Sequence, residues 1–142
     1  EALARWNHPT RGRLGPDLFI PLAEETGLIA SIGRWAIEEA VRAAQRWDSV
    51  SPGLGVSVNL AVSHLRLPGA AAEIAGMLAA ADFDPARLAV EVTENEIVRE
   101  HDTALDALFE LSALGVARRP GEGVGLDVQP PAAPATVSSF PR

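Results

Sequence analysis

Two polar residues at the ends of predicted strands, Asn59 and Glu91, have the type and spacing that metal chemistry needs. Each falls on the face opposite the apolar residues of its strand, and one βα repeat separates them. If the strands are neighbours, both side chains lie at one site, and Glu1 is a third candidate at the end of a truncated strand. Such oxygen donors suit Mg²⁺ or Mn²⁺ better than zinc or copper. The alternative is that Asn59 and Glu91 cap loops or face water.

The elements that must position these residues alternate between strand and helix. Residues 56–60 and 88–93 alternate with period two, whereas residues 16–27, 69–81 and 102–114 have helical spacing. Ser31 is the predicted N-cap of a further helix ending at Trp47. This order predicts an α/β fold with a parallel sheet, either doubly wound or a (β/α) barrel. The three tryptophans fall on apolar stripes and are predicted to be core residues: Trp6, Trp35 and Trp47.

Composition excludes several classes of function. The chain has 142 residues, a formal net charge of -7, no cysteine and, among its 12 Lys+Arg residues, only arginine. The acidic balance leaves no broad basic face for a nucleic-acid duplex, and no apolar run reaches the ~20 residues of a membrane-spanning helix. Without cysteine there are no disulfides or thiolate sites. We expect a cytoplasmic domain, and a first residue other than Met predicts that sequence precedes it.

Several separate motifs resemble the EAL domain family, the phosphodiesterases that cleave cyclic di-GMP. They follow the family's order and spacing over residues 1–116. The motifs are EALARWNHP at 1–9, FIPLAEE at 19–25, IGRW at 32–35, VNL at 58–60 and EVTE at 91–94.

The resemblance implies a TIM-like barrel with a metal-dependent site at its C-terminal face, of which this chain supplies strands 2–4 with their helices. Glu1, Asn59 and Glu91 match the family's metal ligands. Arg5 matches a residue that contacts a ligand phosphate, and Glu94 matches one that steadies a ligand-bearing loop. The implied cofactor is Mg²⁺ or Mn²⁺, and the implied reaction is hydrolysis of cyclic di-GMP to the linear dinucleotide.

The chain departs from the family after residue 116. The family continues into a strand ending in an Asp-Asp pair, and later supplies a catalytic Lys and another Glu ligand. This sequence has no Lys and no Asp-Asp pair, and His64 stands where the family commonly has Gln. We therefore expect an inactive fragment of a phosphodiesterase domain. The alternatives are a degenerate module that binds cyclic di-GMP without cleaving it, and a non-functional gene remnant.

The resemblance also implies partners beyond cyclic di-GMP itself. A diguanylate cyclase-like or sensor domain is expected upstream, and through such regions the intact protein could be anchored in a membrane. A homodimer is compatible with the family.

Residues 117–142 are predicted to be an irregular or disordered tail outside the domain at 1–116. They contain Pro120, Pro130, Pro131, Pro134 and Pro141 and no sustained apolar period. A shift of one base, with suitable third bases, lets residues 118–123 encode D-D-x-G-x-G, as the family expects. We therefore predict that the tail is an out-of-frame translation. A stop codon in the shifted frame of the gene, or missing Asp-Asp codons there, would refute this.

Overall fold

A computed structural model of the chain describes residues 4–92, 103–120 and 126–128. Within these ranges, no helix is both long enough and apolar enough to cross a bilayer. The strands are β1 (Trp6–His8), β2 (Gly12–Leu14), β3 (Val56–Asn59), β4 (Leu88–Val92), β5 (Ala117–Pro120) and β6 (Leu126–Val128). The helices are α1 (Pro16–Glu25), α2 (Ile29–Trp47), α3 (Val62–Leu65), α4 (Ala70–Ala80) and α5 (Thr103–Ala113).

The central sheet has four strands in the order β5-β4-β3-β6. β3 pairs with β4 and β4 with β5, both in parallel, whereas β6 pairs with β3 antiparallel. Helices α3 and α4 connect β3 to β4, and α5 lies between β4 and β5 in the chain. The predicted alternation of strands and helices on a parallel sheet is therefore confirmed.

One face of the sheet forms the main hydrophobic core with the helices. Val58, Leu88 and Val90 are at most 1% exposed, and they cluster with Ile37 of α2 and Leu111 of α5. Removing each such side chain from water contributes about 1.5–3 kcal/mol before conformational entropy is subtracted. This burial determines which face of each strand turns away from the helices.

The chain before the sheet forms a hairpin, β1–β2, followed by α1. The backbone N–H groups of Thr10 and Arg11 both donate to Nδ1 of His8, at 3.2 Å, and Gly12 closes the turn at φ +72°. His8 is therefore a structural residue of this turn. Helix α1 begins at Pro16, which is well suited to the first helical position because that position needs no N–H donor.

The tryptophans lie at the surface rather than in the core, so that prediction was wrong. Trp6, Trp35 and Trp47 are 40%, 46% and 39% exposed. Trp6 packs edge-on against Phe19 with 6.4 Å between ring centroids. Trp6 and Trp35 line an open, mainly apolar cleft of about 430 Å³ between the hairpin, α1 and α2.

Helix α2 begins at Ile29, three residues earlier than a Ser31 N-cap predicts. Ser31 therefore lies inside the helix, where its Oγ accepts a hydrogen bond from Arg34 at 2.9 Å instead of capping the N-terminus. Helix α3 was not predicted, because a single turn is too short to show a helical period.

The predicted irregular tail contains regular structure where it begins. Ala117–Pro120 pairs in parallel with β4 as strand β5, and Leu126–Val128 forms β6. The physical reason is that α5 returns the chain to the open edge of β4, whose backbone groups need hydrogen-bond partners. The parallel strands therefore continue beyond residue 116.

An ion pair ties the end of α2 to the turn before β4. The Arg87 guanidinium donates to both carboxylate oxygens of Asp48, at 2.7 and 3.1 Å, and its Nε donates to the Leu54 carbonyl at 3.0 Å. The Arg87 guanidinium also stacks 4.6 Å above the Phe83 ring centroid. Hydrogen bonding from Arg87 lowers the pKa of the Asp48 carboxyl, and burial opposes this only in part. This contact fixes where β3 and β4 begin.

His64 is the buried polar residue that joins α3 to the helices around it. It is fully buried, and neither ring nitrogen has a hydrogen-bond partner among the described residues. Its Nε2 lies 3.8 Å from a carboxylate oxygen of Glu73 on α4, and Gly33 of α2 faces the ring. Burial lowers the pKa of the His64 imidazole; Glu73 raises that pKa and Arg34 lowers it, each by less than burial does.

We predict that Gly33→Ala destabilises the fold whereas Gly76→Ala stabilises it. A Cβ at position 33 would lie 2.8 Å from Cε1 of His64, and closer still to its Nδ1. Overpacking of this kind costs about 1–3 kcal/mol. Gly76 is exposed in α4 with nothing near its missing Cβ, so alanine there adds about 0.5–1 kcal/mol. Urea unfolding of both variants measures this, and a Gly33→Ala protein as stable as the parent contradicts it.

We also predict that the free energy of unfolding falls as the pH is lowered from about 8 to 5.5. The lowered pKa of His64 means that the unfolded chain binds a proton more readily than the folded one. The contribution of the neutral ring to the free energy of unfolding is therefore fully present above the unfolded pKa of about 6.5, and it is lost as the pH falls below that value. Urea unfolding at several pH values measures the slope, which His64→Gln should flatten. Equal slopes for the two proteins would contradict the prediction.

Candidate functional site

Asn59 and Glu91 lie side by side at the carboxyl ends of β3 and β4. Their Cα atoms are register partners in the parallel pair. The backbone N–H of Leu60 donates to the Glu91 carbonyl at 3.0 Å, which continues the pairing one residue past Asn59. Both residues are half-buried. The prediction that they are neighbours on adjacent parallel strands is therefore confirmed.

The two residues share the sheet face that turns away from the helices. Side chains alternate along a strand, so the buried Val58 and Val90 point toward the helices while Asn59 and Glu91 lie on the other face. In-register residues of neighbouring parallel strands lie on the same face. Oxygen-bearing side chains from two strands thus come together through backbone pairing alone.

Below Asn59 and Glu91, the same face carries small residues. Ser57 and Ala89 are register partners, as are Ala89 and Ala117, and Ser57 is 2% exposed. They line a cavity of about 450 Å³ at the amino ends of the strands, together with Arg119. Neither Asn59 nor Glu91 lines this cavity, because both lie at the opposite, carboxyl ends of the strands.

Arg119 extends the polar row onto a third strand. Its Cα is the register partner of Glu91, so the row reads Asn59 on β3, Glu91 on β4 and Arg119 on β5. Arg119 was not predicted as a site residue, because residue 119 falls in the segment predicted to be irregular. The signal that could have found it was the Arg118-Arg119 pair shortly after the apolar Val116.

The row fits a divalent cation only in part. Asn59 and Glu91 supply the oxygen donors that Mg²⁺ and Mn²⁺ prefer. Arg119 has donors only and is always protonated, so it cannot ligate a metal and repels one. Across the described ranges, no three His, Cys, Asp or Glu residues group as metal ligands. The residues of these three strands therefore do not fit a divalent cation.

The remaining predicted site residues are not in this row. Arg5 is exposed, its Nη1 donates to the Ala4 carbonyl at 2.8 Å, and it lines the apolar cleft beside Trp6. Glu1 and Glu94 lie outside the described residues. Of the predicted site residues, the structure thus brings together Asn59 and Glu91.

Comparison with known proteins agrees with this geometry. Residues 1–117 match the EAL domain family. The chain is 39% identical over 117 residues to the bifunctional diguanylate cyclase/cyclic di-GMP phosphodiesterase MucR of Pseudomonas aeruginosa. That match covers 82% of this chain but 17% of MucR, so the chain spans about a sixth of this relative.

Solved structures share the fold. The MucR phosphodiesterase, solved in complex with c-di-GMP, superposes with a TM-score of 0.75 at 35% identity, over 87% of this chain and 51% of that one. The EAL domain of Xanthomonas citri FimX, also solved with c-di-GMP, gives a TM-score of 0.67 at 22% identity, over 80% of this chain and 45% of that one. At that identity, FimX supports the fold alone.

These neighbours confirm the predicted fold class, a mixed α/β chain that forms part of a TIM-like barrel. The parallel strands β3, β4 and β5 supply the barrel portion, and their carboxyl ends are where such barrels place their sites. The family match, the MucR identity and the Asn59–Glu91 register agree, and the chain belongs to the EAL domain family.

Proposed function

We propose that this chain is part of an EAL-type phosphodiesterase domain specific for cyclic di-GMP, and that the polypeptide by itself does not hydrolyse that nucleotide. The observation that carries the proposal is the register pairing of Asn59 and Glu91 at the carboxyl ends of β3 and β4. Both positions match metal ligands in the family that the chain resembles. The c-di-GMP complex of the MucR phosphodiesterase supports the choice of ligand.

The proposed roles follow the family pattern residue by residue. Glu1, Asn59 and Glu91 correspond to residues that hold Mg²⁺ or Mn²⁺ in an active family member, where the metal supplies Lewis-acid activation of a phosphate. Arg5 corresponds to a phosphate contact, which a guanidinium makes through paired N–H donors. Glu94 corresponds to a residue supporting a ligand-bearing loop. In this polypeptide the arrangement is opposed by Arg119 on β5.

Inactivity follows from the groups that the 142 residues do not supply. There is no lysine in the sequence, and no Asp-Asp pair follows residue 116, where the family strand ends in one. Removing one preorganised charge-stabilising group commonly lowers kcat by about 10²–10³. Several such groups are replaced or missing together.

The proposal extends to the domain boundary, the partners and the cellular location of the protein. Residues 1–116 form the family domain, and an out-of-frame origin of 117–142 accounts for the change in composition there. An upstream cyclase-like or sensor domain, a cytoplasmic location and a homodimer are proposed from the family.

We predict that the purified 142-residue chain forms no linear dinucleotide from cyclic di-GMP in the presence of Mg²⁺ or Mn²⁺. Chromatographic separation of the two nucleotides measures this, with the MucR phosphodiesterase as the positive control. We expect a rate at least about 10²-fold below that control.

Linear dinucleotide that appears with the parent chain and disappears with Glu1→Ala would refute inactivity. Calorimetric titration with cyclic di-GMP separates the remaining alternatives. Binding without turnover identifies a degenerate binding module, whereas absence of both excludes that module and is expected for an inactive fragment and for a non-functional remnant alike.

A further inference from the structure

Arg119 places a fixed positive charge in the row where the family's metal ligands converge. It is the register partner of Glu91, which is in turn the register partner of Asn59. Neighbouring parallel strands lie about 4.8 Å apart, so the three residues emerge next to one another on one face of the sheet. Glu91 thus has an amide residue, Asn59, beside it on β3 and a cationic residue, Arg119, beside it on β5.

Strand alternation places Arg119 on the same face as Ala117, whose register partner Ala89 is two residues before Glu91. The cavity that Arg119 lines with Ser57 and Ala89 lies at the amino ends of the strands. Arg118 provides the contrast, because its register partner is Val90, which is 1% exposed in the helix-facing core. The two adjacent arginines therefore lie on opposite faces, and only Arg119 shares a face with Glu91.

A guanidinium and a divalent cation compete for the same carboxylate. Glu91 lowers its electrostatic energy by approaching either one, but Arg119 is covalently held on the next strand and is always charged. A metal ion entering the row would meet this charge and would gain no donor atom from β5. The oxygen donors of Asn59 and Glu91 are then too few to hold a cation that prefers six oxygen ligands.

We propose that Arg119 takes the place of a divalent cation beside Glu91, so that this row holds neither Mg²⁺ nor Mn²⁺. The inference rests on the proposed function for the assignment of Asn59 and Glu91 as metal-facing positions. It goes beyond that function by identifying the residue that excludes the metal.

Titration of Mn²⁺ into the full 142-residue chain, followed by the electron paramagnetic resonance signal of free Mn²⁺, tests this without nucleotide or turnover. We expect Glu91-dependent binding in the parent chain to be weaker than a Kd of about 1 mM. Arg119→Asp replaces the cation with an oxygen donor and should tighten Mn²⁺ binding at least about tenfold. Adding Glu91→Gln to that variant should abolish the gain.

Arg118→Asp is the matched control, because it changes the net charge equally on the opposite face. It should leave Mn²⁺ affinity within about twofold of the parent, since its distance and screening weaken the effect. Arg119→Ala removes the charge without adding a donor and should bind Mn²⁺ more tightly than the parent but less tightly than Arg119→Asp. This smaller change keeps the test valid if Arg119→Asp fails to fold, as circular dichroism would show.

Three results would overturn the inference: Mn²⁺ binding by the parent chain that Glu91→Gln removes, equal gains from Arg118→Asp and Arg119→Asp, or equal affinities of Arg119→Ala and the parent. These outcomes are distinct from failure of the proposed function, which would appear as nucleotide hydrolysis or as the wrong nucleotide specificity.

Discussion

The parallel pairing of β3 with β4 determines which side chains lie together on each face of the sheet. It aligns Val56 with Leu88 and Val58 with Val90 on the helix-facing side, and Asn59 with Glu91 on the other. A slip of one residue would turn the valines out of the core and the polar pair into it. The hydrophobic free energy that stabilises the core therefore also maintains the position of the polar row.

Contacts made by the helices and the loops next to them stabilise this strand register. Arg87 links the loop after α2 to the turn before β4, so the beginnings of both strands are tied to one ion pair with Asp48. After the carboxyl end of β3 the chain enters α3. The His64 side chain of α3 packs against Gly33 of α2. The absence of a side chain at position 33 lets the imidazole pack there.

In the proposed site, one residue on β5 decides the electrostatics of the polar face. The register of β3, β4 and β5 places Asn59, Glu91 and Arg119 in one row. An acid on β5 would add a ligand, whereas arginine adds a charge of the metal's own sign. The proposed exclusion of a metal by Arg119 is compatible with membership of the family and with the fold.

The sequence by itself determined the longer helices, strands β3 and β4 and their order, because hydrophobic period is a local property. The alternation in β3 and β4 and the helical spacing in α4 and α5 were sufficient for the α/β fold, and the strand-end positions of Asn59 and Glu91 made both visible as site residues. The tertiary structure decided what depends on contacts between distant segments. It placed β5 in a segment whose prolines predicted irregularity, since the open edge of β4 needs hydrogen-bond partners. It also placed Arg119 beside Glu91, because register between strands is a property of the sheet and not of either strand alone.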